Sequence, residues 1–126
     1  MELAPKRFAQ ATVLSPAGRI DHATADRFKT ALLDHLERHA GADGVVLDLA
    51  GVEYMASAGL RALVLAARQA KARGGRLVVA ALQPVVREVF EITRFTLVLE
   101  TFASVRDALA AVDPDAVPAF EAAGRA

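Results

Sequence analysis

Apolar positions in this chain recur with two different periods, and the switches between them lay out the elements. Residues 9–17 carry Ala11, Val13 and Leu14 and end at Pro16-Ala17-Gly18, which reads as a strand followed by a turn. From about Ala23 to Arg38, the residues Ala25, Phe28, Leu32 and Leu36 fall three and four apart. Asp26, Arg27, Lys29, Asp34, Glu37 and Arg38 fill the gaps, so the spacing predicts an amphipathic helix. Gly41-Ala42-Asp43-Gly44 breaks it, and Val45 to Leu49 is a β-branched run of the kind buried on both faces of a sheet. Gly51 to Ser57 reads as a connection. A second helix, roughly Ala58 to Arg73, places Leu60, Leu63, Val64 and Ala67 on one face and stops at Gly74-Gly75. Leu77 to Leu82 is another central strand. Pro84 stands where the first turn of a helix tolerates it, and Val86, Val89 and Phe90 give that helix a core side. Leu97 to Leu99 reads as a short strand, and Ser104 as the cap of a helix carrying Val105, Ala108, Leu109 and Val112.

This alternation implies one α/β domain with right-handed crossovers. Its expected span is residues 1–112. Residues 113–126 contain Pro114 and Pro118 with little pattern, and are expected to form a loosely held tail. A chain of 126 residues has room for one domain, and buries enough apolar surface to hold a core without metal or disulfide.

Composition removes several functions. No apolar run approaches the ~20 residues that span a bilayer, so no direct membrane insertion is expected. The opening residues carry Lys6 and Arg7 without a long apolar core after them, unlike a signal peptide. There is no Cys, which fits a reducing compartment, and the expected location is the cytoplasm. Basic and acidic residues balance at 15 each, and with one Tyr and no Trp the chain lacks both the charge and the stacking platform of a nucleic-acid binder.

The inventory of reactive groups is equally thin. His35 and His39 are four apart, but a metal wants a third ligand, and the solvated helix face is the simpler account. Gly51 and Gly59 lack the Lys-Ser/Thr ending of a phosphate-binding loop. The carboxylates are scattered singly among basic partners, without an acid/base pair. The expectation is a protein that is no enzyme and uses no cofactor.

One stretch stands out: Tyr54-Met55-Ala56-Ser57-Ala58-Gly59-Leu60, between a buried strand and a helix start, where α/β sheets present binding loops. Ser57 is read as the helix N-cap, its hydroxyl accepting from amides two and three residues on. The small neighbours Ala56, Ala58 and Gly59 leave it accessible and let another chain approach the backbone. The simpler account is a plain serine cap in a tight corner. Asp21, with Thr24 beside it, is either a helix cap or part of an interface. Arg61, Leu65 and Arg68 share the helix face opposite Leu60 and Leu63, which makes Leu65 a candidate exposed contact.

Taken together, Gly18-Arg19-Ile20-Asp21-His22-Ala23-Thr24 and the Ser57 loop resemble the anti-sigma factor antagonist family, the STAS domains. That family shows Gly-x-Leu/Ile-Asp-x-x-Thr before its first long helix and Asp-Ser-Ser/Thr-Gly-Leu at the start of the second. Gly74-Gly75-Arg76-Leu77-Val78-Val79 and Pro84 to Phe90 are similar to its following strand and helix, so the resemblance covers roughly residues 9–112. It implies a mixed sheet with helices packed mainly on one side. It also implies partner switching: the domain binds an anti-sigma factor, often a GHKL-type serine kinase, and phosphorylation of the loop serine blocks binding until a PP2C-type phosphatase reverses it. Carried over, Ser57 is the phosphoacceptor. Asp21, His22, Thr24, Met55, Ala56, Ala58, Gly59, Leu60, Arg61 and Leu65 are expected to complete the docking patch. The departure is Ala56 where the family has Asp, and Ala58 where it has the second Ser/Thr. That departure favours an alternative, a STAS subunit of a membrane lipid-transport ABC complex that docks without phosphorylation.

Overall fold

The computed structural model describes residues 1–38 and 44–124. In chain order the elements are β1 (Lys6–Phe8), β2 (Ala11–Leu14), β3 (Gly18–Ile20), α1 (Ala25–Arg38), β4 (Gly44–Asp48), β5 (Val52–Met55) and α2 (Ser57–Ala72). They continue with β6 (Leu77–Ala80), α3 (Pro84–Ile92), a 3₁₀ turn at Phe95–Leu97, β7 (Thr101–Phe102), α4 (Val105–Val112) and α5 (Ala116–Gly124). The main sheet has the order β1-β2-β4-β6-β7, antiparallel only between β1 and β2.

Period-two alternation along β2, β4 and β6 sends side chains to two faces, and both are covered. Leu14, Val45, Leu47, Leu77 and Val79 face α1, α2 and α3, whose Phe28, Leu32, Leu60, Leu63, Val86 and Phe90 are all but fully buried. Burying each such side chain contributes about 1.5–3 kcal/mol. Ala11, Val13, Val46, Val78 and Ala80 face α4 and α5. Helices α1, α2 and α3 therefore lie on one side, with α4 and α5 closing the other. Both edges are short: β1 has three residues, of which Lys6 and Arg7 are exposed, and β7 has two.

Four local expectations are corrected. Residues 113–126 are not all loose, since 116–124 form α5. Pro118 falls in its first turn, Ala116 is buried, and Phe120 meets Phe8 edge-on at 5.5 Å. Arg106 Nε donates to Glu121 at 2.8 Å as a further tie. Residues 97–99 are not a strand, because Leu97 and Val98 are 79% and 60% exposed and only Leu99 is buried; the pairing strand is β7. The connection before Ser57 is strand β5, with Val52 and Met55 turned inward and Glu53 outward. The first strand is shortened to β2, and β3 begins at Gly18, where only a turn was expected. His39 and the break at Gly41 to Asp43 lie outside the described residues, and Gly44 opens β4.

A second, two-stranded sheet follows from the first. After three-residue bends, β2 leads into β3 and β4 into β5, and β3 and β5 pair in parallel. The bends fit each other. Gly18 N–H donates to Gly51 O at 2.8 Å, with Gly18 at φ +95°, and a Cβ on Gly51 would stand 3.3 Å from Pro16 O and from Ala17 Cβ. Ile20 pairs with Met55, so the two strands end side by side. Each then opens a helix.

Candidate docking site

The Asp21 and Ser57 segments are brought together by that pairing: the Ala56 amide donates to Ile20 O at 2.7 Å, and Asp21 is the next residue along. The two helix starts are built differently. At α1, Thr24 precedes the first helical residue and Asp21 closes a turn around it. The Ala23 and Thr24 amides donate to Asp21 Oδ1 at 2.9 and 3.2 Å, and the Thr24 hydroxyl donates to Arg19 O at 2.8 Å while accepting from the Asp21 amide at 2.9 Å. Desolvation pushes the Asp21 carboxyl up, but the Ala23 and Thr24 amides, the Thr24 hydroxyl and the Arg19 charge outweigh it and hold Asp21 below its ordinary range. Asp21 thus closes the turn that leads into α1, accepting amides that lie just before the first helical residue. The hydrogen bonds to its carboxylate fall on Oδ1, and Oδ2 accepts none among the described residues.

At α2 the expectation that Ser57 is the N-cap is overturned. Ala56 holds the cap position, in extended backbone at φ −81° and ψ 166°, and Ser57 is the first helical residue. No side chain caps this helix and no acidic residue stands in its first turn. Ala56 O takes the Gly59 and Leu60 amides at 2.9 and 3.2 Å. Ser57 is exposed, and its hydroxyl makes no hydrogen bond among the described residues.

The small neighbours serve the interior. A Cβ on Gly59 would lie 2.7 Å from Ile20 Cγ2 and 2.9 Å from Met55 Cγ, closer than real contacts allow. The glycine therefore lets α2 settle onto the β3–β5 pair; it is buried and offers no backbone to a partner. Met55, Ala56 and Leu60 are likewise buried, at 2%, 6% and 1% exposure. What the surface presents is Ser57, His22, Arg61 and Leu65, with Asp21, Thr24 and Ala58 partly covered. Leu65 is 44% exposed, two turns along α2 from Ser57, with Arg61 and Arg68 on either side. One pair escaped the sequence reading. Arg19 and Tyr54 pair across β3 and β5, and the Arg19 guanidinium lies 4.4 Å from the Tyr54 ring centroid on the outward face of the small sheet. The signal was available in the alternation of 52–55, had that stretch been taken as a strand.

Comparison with known proteins bears on this arrangement. The model of the STAS domain family matches residues 4–108. BtrV of Bordetella bronchiseptica, named as a candidate anti-sigma factor antagonist, is 39% identical over 101 residues, covering 80% of this chain and 84% of BtrV. An anti-sigma factor antagonist from Mycobacterium paratuberculosis superposes with a TM-score of 0.77 at 26% identity, over 86% of this chain and 90% of that one. A candidate antagonist from Thermotoga maritima gives 0.79 at 21% identity, over 87% and 93%, which speaks for the fold alone.

Proposed function

The chain belongs to the STAS domain family, and from that premise we propose that it is an anti-sigma factor antagonist switched by phosphorylation of Ser57. Its partner is an anti-sigma factor that doubles as a GHKL-type serine kinase, its reset enzyme a PP2C-type phosphatase, and its place of work the cytoplasm. The protein acts by docking and not by catalysis.

The observation that carries this reading is the state of Ser57: exposed, unengaged, and first in a helix whose N-terminus has no cap. A phosphate there carries about −1.5 to −2 charges, which the helix dipole and free amides of the same chain accommodate. The fold is therefore indifferent to the modification, whereas a docked surface is not. Burying that charge against a partner costs several kcal/mol unless the partner pairs it. Ser57 thus changes affinity without changing structure, and Asp21 Oδ2, Arg61 and Leu65 supply the surrounding contacts.

The second reading, a docking subunit of a membrane lipid-transport ABC complex, is favoured by one observation, the lack of an acidic side chain in the first turn of α2. Affinity capture from the native cell separates the two. Recovery of a GHKL-type kinase that labels Ser57 with ATP and Mg²⁺, seen by mass spectrometry, supports the switch. Recovery of an ABC ATPase with Ser57 unmodified overturns it in favour of the second reading.

A further inference from the structure

A cavity of about 240 Å³ opens between the second face of the main sheet and α5, away from Ser57. Its walls are apolar: Phe8 and Phe120 in their edge-on pair, with Val13. Three polar groups line it, Lys6, Ser15 and Asp48. Asp48 Oδ1 accepts from the Ala50 amide at 3.0 Å, but Oδ2 receives only a long 3.5 Å contact from Ser15 Oγ. No ion pair joins Lys6 to Asp48, and none engages either of them among the described residues. A cation and a half-used carboxylate thus line one apolar-walled cavity without meeting each other. Small-molecule sites have this composition, a mostly apolar wall with a few polar groups that fix orientation.

We propose that this cavity binds a small zwitterion with an apolar body, an α-amino acid of the leucine or phenylalanine type. The carboxylate pairs with Lys6, the ammonium with Asp48 Oδ2 and Ser15, and the side chain lies against Phe8, Val13 and Phe120. The volume falls a little under the range of about 300–1,000 Å³ typical of ligand pockets, which suits a ligand of this size. Phe120 lies past residue 108, where the family match ends, whereas Lys6, Phe8, Val13, Ser15 and Asp48 lie within it. The cavity's position gives it reach as well. Ser15 starts the bend that leads into β3, and Asp48 ends β4 just before the bend into β5, so the ligand touches both roots of the small sheet.

The inference is independent of the docking reading and is tested on the full chain by ¹⁵N–¹H titration with L-leucine and L-phenylalanine. The expected result is saturable shifts at Phe8, Ser15, Asp48 and Phe120. Phenylalaninamide, without the carboxylate, and N-acetylphenylalanine, without the ammonium, should each bind at least about tenfold more weakly, the scale of one lost charge-assisted contact. Lys6→Gln should erase the preference for the free carboxylate. Asp48→Asn, which keeps an acceptor for the Ala50 amide, should erase the preference for the free ammonium. Absence of saturation by either amino acid at millimolar concentration overturns the proposal, and so does equal binding of the blocked compounds or their unchanged ranking in the two variants.

Discussion

Two helices start side by side where β3 and β5 end, and they treat the same problem in opposite ways. Every helix leaves its first amides without intrahelical partners. At α1 the chain answers from within: the Asp21 and Thr24 side chains hold the turn ahead of the helix closed, and Asp21 O accepts the Ala25 amide at 2.8 Å. At α2 it supplies nothing: Ala56 stands at the cap position and Ser57 one place further on, its hydroxyl free. A third start sharpens the contrast, since Ser104 caps α4 by accepting the Asp107 amide at 3.1 Å. Two serines at helix starts thus differ by one position. At the cap, serine is structural; one place later it is available to something outside the chain.

The comparison is tested hardest at Gly59, because the open corner depends on α2 lying against Ile20 and Met55. Gly59→Ala is expected to destabilise the fold by roughly 1–3 kcal/mol in urea titration, the overpacking cost exceeding the gain in helix propensity. Full stability would mean that the close packing is dispensable. The next effect is on affinity: Ser57→Asp should bind the captured partner about 2 kcal/mol, or some thirtyfold, more weakly, with an unchanged circular dichroism spectrum. Equal affinity would remove Ser57 from the interface. Smaller still is the contrast between the serines, measured by chemical denaturation. Ser104→Ala should cost about 1 kcal/mol as a lost cap, and Ser57→Ala less than about 0.5 kcal/mol. Equal losses would erase the distinction between them. The gentlest test is acid. Asp21 is held below its ordinary pKa, so its contribution is full above the unfolded-state value and fades as pH falls through the folded one. Asp21→Asn should therefore melt lower than the parent at neutral pH and converge on it in acid. A gap that persists at low pH would assign the loss to shape and not to charge.

Sequence periodicity placed the long elements well, because α1, α2, β4 and β6 bury continuous stripes that only one period fits. It failed where few residues decide. β5 turns in Val52 and Met55 alone, and α5 is held by Ala116 and Phe120, contacts that exist only once β1 is in place. At the site, the bringing together of Asp21 and Ser57 was expected from the family resemblance, and the pairing of β3 with β5 supplies its physical cause. The shift of Ser57 from the cap to the first turn was not expected, because it depends on the Ala56 amide being claimed by Ile20 across β3 and β5. The role of Gly59 was misread for the same reason: its neighbours Ile20 and Met55 are 39 and 4 residues away in sequence, and both would stand too close to a Cβ there.

The brevity of β1 and β7 has a consequence for how this protein meets others. A sheet grows when a foreign strand finds a long row of unpaired backbone groups on an outer strand. Here one outer strand offers three residues, two of them charged, and the other offers two. Neither can template a further strand. While unbound, the domain is thereby protected from zipping onto copies of itself, and its associations are left to side chains.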